Sequence, residues 1–148
     1  MPTTQDLTAR ATILIEAPRA EVWKALVSPE AIKQYMFGAD VQTDWKEGSP
    51  ITWSGEWQGK QFEDKGKIVE VKPERRLQYS HFSPLSGEPD TPENYHIVTT
   101  ELADIDGKTR VTLGQDNTLT EEARTHSEQN WNTMLQGLKK YVEGSGKK

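Results

Sequence analysis

The chain contains no cysteine. It therefore has no disulfide, no thiolate nucleophile and no cysteine-based metal site. It has no uninterrupted run of about 18 apolar residues, so no membrane-spanning helix is expected. Its opening, MPTTQDLTAR, lacks the apolar segment of a signal peptide, and a cytoplasmic protein is the simplest expectation. There is no excess of basic residues: 18 Lys and Arg stand against 23 Asp and Glu, a net charge of −5. That balance argues against a nucleic-acid partner, whose phosphates call for a basic face. No pair of histidines has the spacing of a helical metal site, and no glycine-rich phosphate loop is present. Gly55, Gly59 and Gly66 read as strand and turn glycines. No metal and no organic cofactor is expected. Hydrophobic residues are also scarce, at 33% of 148, but five of them are Trp, so a few large side chains must supply much of the core.

The longest one-sided stretch runs from Thr118 to Gly144. Trp131, Met134, Leu135, Leu138, Tyr141 and Val142 recur there at helical spacing and make one apolar face. Thr118 with Glu121 fits a capping box, and Thr120 is the alternative N-cap. Glu121 and Glu122 suit the positive end of the helix dipole, Lys139 and Lys140 the negative end. Trp131 is read as the helix's main knob into the core. A single domain of residues 1–148 is expected, with its core over about residues 7–143 and a flexible tail at 144–148.

Ahead of that helix, Leu7 to Glu16 alternates as a strand does. Pro18 suits the first position of a short helix ending near Val27, and Ser28 the N-cap of a second, with Ile32, Tyr35 and Met36 on one face. Six strand-like segments follow: Ala39–Trp45, Ile51–Trp57, Phe62–Val71, Arg76–Phe82, Tyr95–Ile105 and Thr109–Asp116. Hairpin-length joins separate most of them, and Asp106-Gly107 is a type I′ signal, so an antiparallel meander is predicted. The exception is the Pro-rich loop Pro84–Asn94. Val69 and Val71 break the alternation of their strand, which predicts a bulge near Glu70.

Strand parity puts Ile51, Trp53, Gly55 and Trp57 on one inner face with Phe62, Asp64, Gly66 and Ile68. Leu77, Tyr79 and His81 join them, as do His96, Val98, Thr100 and Leu102, and then Val111, Leu113 and Gln115. An inner face holding both aromatic and isolated polar groups predicts a ligand cavity rather than a sealed core. Its expected walls are Trp53, Trp57, Phe62, Tyr79, Trp131 and Leu135. Asp64, His81, His96, Thr100 and Ser127 would meet a polar end, and Met36 and Phe37 would stand at the mouth. No residue is assigned a catalytic role.

The opening IEAPRAEVWKALVSPEAIKQYM, the centre DWKEGSPITWSGEW with GKIVEVKPERRLQYSHF, and the ending NWNTMLQGLKKYVE together resemble the activator-of-Hsp90-ATPase-like branch of the START-like (SRPBCC) superfamily. The resemblance covers about Leu7 to Glu143. It implies an α+β helix-grip fold, in which a curved antiparallel sheet of six or seven strands wraps around the C-terminal helix, with two short helices after the first strand. It also implies a hydrophobic small molecule as partner, lipid-, polyketide- or flavonoid-like. A cyclase or hydrolase in the same cavity and a co-chaperone-like protein interaction are the alternatives. The namesake co-chaperone uses a further N-terminal domain for which this sequence has no counterpart, so stimulation of an Hsp90-type ATPase is not expected.

Overall fold

The computed structural model describes residues 7–36, 38–57, 59–83, 89–91, 94–118 and 120–145. The chain begins with strand β1 (Leu7–Ile15), followed by helices α1 (Arg19–Leu26) and α2 (Pro29–Tyr35). Strands β2 (Asp40–Gln42), β3 (Pro50–Trp57), β4 (Lys60–Lys72), β5 (Arg76–His81), β6 (His96–Ile105) and β7 (Lys108–Thr118) come next, and helix α3 (Glu121–Ser145) ends the fold. The sheet has seven strands in the order β1-β7-β6-β5-β4-β3-β2, and each neighbouring pair is antiparallel. The two short helices carry the chain from one edge of the sheet to the other. Each later strand then steps back until β7 lies beside β1. This is the expected α+β arrangement of a curved antiparallel sheet with one long C-terminal helix.

Turn chemistry explains several of the joins. Asp106 and Gly107 have φ of 53° and 85°, the left-handed pair that a type I′ hairpin needs. Between β4 and β5 the register shifts from Ile68–Tyr79 to Glu70–Gln78. Val69 is thus the extra residue of the predicted bulge, and its side chain is turned out, 44% exposed. The segment expected as a strand over Ala39–Trp45 pairs only at Asp40–Gln42. Trp45 has φ of 60°, which ends the extended conformation, and its half-buried ring packs against the core.

Helix starts also differ in detail from the expectation. Pro18 is the N-cap of α1 rather than its first helical residue, while Ser28 caps α2 by accepting from the Ala31 amide at 3.3 Å. Thr118 ends β7, so the cap of α3, just ahead of Glu121, is Thr120, whose Oγ1 accepts from the Ala123 amide at 3.0 Å. Thr120→Ala should cost about 1 kcal/mol in urea unfolding, with no change at the pocket described below. A loss under about 0.3 kcal/mol would mean the bond contributes nothing to holding the helix start. The helix runs on through Ser145, past the expected start of the tail at residue 144. Residues 146–148 lie outside the described residues.

The core lies between α3 and the sheet. Met134, Leu135, Leu138 and Val142 are buried, and α3 packs chiefly on β1, with further contacts to α2, β7 and α1. Trp131 is only partly buried at the edge of this core, so the main knobs of the helix are Leu135 and Leu138, each fully enclosed. That corrects the sequence reading: helical spacing places Trp131 on the apolar face but does not say where the sheet stops covering it. Gly137 lets α2 approach, since a Cβ there would sit 3.1 Å from Tyr35 Cβ. Tyr35 in turn donates to the Ala25 carbonyl at 2.9 Å, which ties α2 to α1 and fixes Met36 and Ala39 just beyond it.

Candidate ligand pocket

Where the N-terminal half of α3 faces β3, β4 and β5, a pocket of about 590 Å³ remains open. Met36 and Ala39 form its rim near α2, Trp53 comes from β3, Phe62 and Asp64 from β4, and Tyr79 and His81 from β5. Ser83 lies just beyond β5, and His126, Asn130 and Trp131 close the helix side. Alternation along each strand does the positioning, because residues two apart share a face. The close register pairs Trp53–Asp64 and Gly55–Phe62 between β3 and β4 bring these groups into one patch. Gly55 leaves space for the Phe62 ring, which a Cβ there would meet at 3.1 Å.

The aromatic wall is ordered around Trp53. Its ring lies 5.1 Å from that of Tyr79, tilted by 48°, and 5.1 Å from His81, at 66°. Edge-on and tilted contacts of this kind are the favourable ones for aromatic rings. Burial pushes the Tyr79 hydroxyl well above the ordinary phenol range, so it stays protonated. His81 Nε2 donates to Asp64 Oδ2 at 2.9 Å, while Asp64 Oδ1 is enclosed without a hydrogen-bond partner among the described residues. At the rim, Trp131 Nε1 donates to Gln115 Oε1 at 2.6 Å and fastens the helix to β7. A different hollow, of about 430 Å³, is lined by Glu70, Arg76, Glu101 and Arg110. Arg76 there pairs with both Glu70 and Glu101, and the walls are mainly charged.

The structure thus gathers Met36, Trp53, Phe62, Asp64, Tyr79, His81 and Trp131 around one space. Phe37 and the side chain of Trp57 lie outside the described residues. Four expected lining residues are elsewhere. His96 is the register partner of His81, but its Nδ1 donates to the Asp116 carbonyl at 3.0 Å. Thr100 is buried farther along β6, Leu135 is sealed in the core, and Ser127 is half-buried off the pocket wall. Among the described residues no three His, Asp or Glu side chains converge as a metal site.

Ala39, Ser83, His126 and Asn130 were not anticipated from sequence. His126, Asn130 and Met134 follow one another at four-residue intervals, a row beside the Ser127-Trp131-Leu135 row. The pocket takes His126 and Asn130 from the first row and Trp131 from the second.

Residues 16–143 match the family described as activator of Hsp90 ATPase homolog 1-like protein. The chain belongs to that family. Among solved structures, ChR145 from Cytophaga hutchinsonii is 53% identical, with a TM-score of 0.85 over 99% of this chain and 100% of that one. The Aha1 dimer from Colwellia psychrerythraea is 18% identical, with a TM-score of 0.73 over 93% of this chain and 96% of that one. Ara h 8.0201 is 14% identical, with a TM-score of 0.75 over 95% and 99% of the two chains. The last two share the helix-grip fold with this chain. No curated protein matches the sequence. Among the described residues no helix is long and apolar enough to cross a membrane, which says nothing of β-barrels.

Proposed function

We propose that this protein binds an apolar small molecule, lipid-, polyketide- or flavonoid-like, between α3 and strands β3 to β5. The observation that carries this reading is the pocket of about 590 Å³ walled by Trp53, Phe62, Tyr79 and Trp131. That volume falls within the range of about 300–1,000 Å³ typical of small-molecule sites. Flat apolar walls gain by exchanging water for a ligand surface, and the few polar groups among them fix its orientation. Two tryptophans on the wall make the site its own reporter. Titration with flavonoid-like and polyketide-like compounds should quench tryptophan fluorescence saturably in the micromolar range, about −8 kcal/mol of binding. Tyr79→Ala should weaken that binding about tenfold while the circular dichroism spectrum stays native. Linear, unsaturable quenching across the panel would overturn the proposal.

A cyclase or hydrolase acting in the same pocket is the second reading. It is favoured by the Asp64–His81 hydrogen bond, since a carboxylate-held imidazole beside an apolar cavity is suited to moving a proton. Conversion of a bound polyketide-like or ester compound, abolished in His81→Gln with binding retained, would establish it.

A further inference from the structure

An apolar ligand accounts for the walls of the pocket but not for the carboxylate set among them. The Asp64 side chain is only 19% exposed. One of its oxygens accepts from His81 and the other has no partner among the described residues. An ionised carboxylate only accepts, so the hydrogen of this bond sits on His81 Nε2. Among the described residues neither Lys nor Arg lines the pocket. The neighbouring Lys65 points to the other face of β4 and pairs with Asp90. A carboxylate head entering here would meet Asp64 with no lysine or arginine to offset it, in a site that water only partly screens. A hydroxyl head would instead donate to the Asp64 carboxylate, which among the described residues receives only the His81 hydrogen. Its oxygen would remain free to accept from Tyr79, whose hydroxyl burial keeps protonated.

We infer that the Asp64–His81 end of the pocket selects an uncharged molecule bearing a phenolic or alcoholic hydroxyl over the same skeleton ending in a carboxylate. This rests on the binding role proposed above and narrows its ligand class: hydroxylated ring compounds fit, and free fatty acids do not. His126, on the exposed side of α3, is the other imidazole of the wall. Repeating the titration in His126→Gln removes it as a counter-charge.

The test is calorimetric titration of the intact protein with naphthol, methoxynaphthalene and naphthoate, all substituted at the same ring position. The expected order is naphthol tightest and naphthoate weakest, at least about tenfold apart, as for a hydrogen bond to a charged group. Methoxynaphthalene, which keeps the ring and the oxygen but cannot donate, should fall between them. In Asp64→Asn the gap between naphthol and naphthoate should shrink to within about threefold. If naphthoate binds as well as naphthol while methoxynaphthalene also binds, the pocket stands and the hydroxyl preference is overturned. A gap unchanged in a folded Asp64→Asn protein overturns the assignment to Asp64. If none of the three binds, the binding role and the preference fall together. Should Asp64→Asn not fold, the three-ligand order in the wild-type protein decides alone.

Discussion

Gly66→Ala should lower stability by about 3 kcal/mol or more and open the pocket, because the added methyl has nowhere to go. A Cβ built on Gly66 lies 1.7 Å from the Ser80 carbonyl oxygen, 2.6 Å from its carbon and 3.2 Å from the His81 amide nitrogen. These are backbone atoms of β5, so no side-chain rotation relieves the clash. The two strands are held on either side of it, by the Lys65–Phe82 amide pair at 3.0 and 2.8 Å and by the Ile68–Tyr79 register pair. Separating β4 from β5 there would also pull Asp64 from His81. The variant should therefore lose ligand binding even under conditions where it remains folded. Gly55→Ala is the contrast: its Cβ is tight only against the far end of the Phe62 ring, at 3.1 Å, which can shift, and the Gly38 carbonyl oxygen lies at an ordinary 3.5 Å. It should cost about 1 kcal/mol or less. Urea unfolding of both variants is the measurement. If Gly66→Ala is as stable as Gly55→Ala, β5 does not approach β4 as closely as described.

The fold was legible where local chemistry and long-range packing agree. Asp106-Gly107 sets its turn whatever surrounds it, and Val69 breaks parity in a strand that must keep one face buried, so hairpin and bulge both show in the sequence. The end of β2 was not legible. Nothing in the alternation of Ala39–Trp45 announces that Trp45 turns to a left-handed backbone, because that depends on where its ring finds the core. The start of α3 was ambiguous for a similar reason. Two threonines are equally good caps in isolation, and the choice follows from β7 pairing with β1 as far as Thr118.

At the pocket, parity was informative for strands and misleading for the helix. A two-residue period has only two faces, so Trp53, Phe62, Asp64, Tyr79 and His81 must share a side once one of them is inside. A helix has a continuous surface, and the choice between the His126-Asn130 row and the Ser127-Trp131 row depends on its tilt. α3 packs chiefly on β1, a long-range contact that no local pattern encodes. His96 shows a second limit. Register makes it the neighbour of His81, yet the Asp116 carbonyl claims its ring. Backbone pairing predicts adjacency, and the hydrogen-bond partner decides where the side chain goes.

Leu135→Ala should cost about 2–5 kcal/mol in urea unfolding while leaving ligand quenching intact in the folded protein. Sequence places Leu135 one turn beyond Trp131 on the same row of α3, and a cavity that ran along that row would include it. Such a residue would border empty space, and its truncation would enlarge the cavity at little cost. Leu135 is instead fully enclosed, and the pocket stops at Asn130 and Trp131. Removing its branched end would leave a void that the surrounding core side chains fill only in part, and the lost contacts appear directly as lost stability. Binding should not follow, because the aromatic walls are on the other side of Trp131. The two measurements separate the possibilities: a loss below about 1 kcal/mol with altered ligand affinity would extend the pocket to Leu135. A large loss with unchanged affinity would mark Trp131 as the boundary between what holds the fold together and what is open to a ligand.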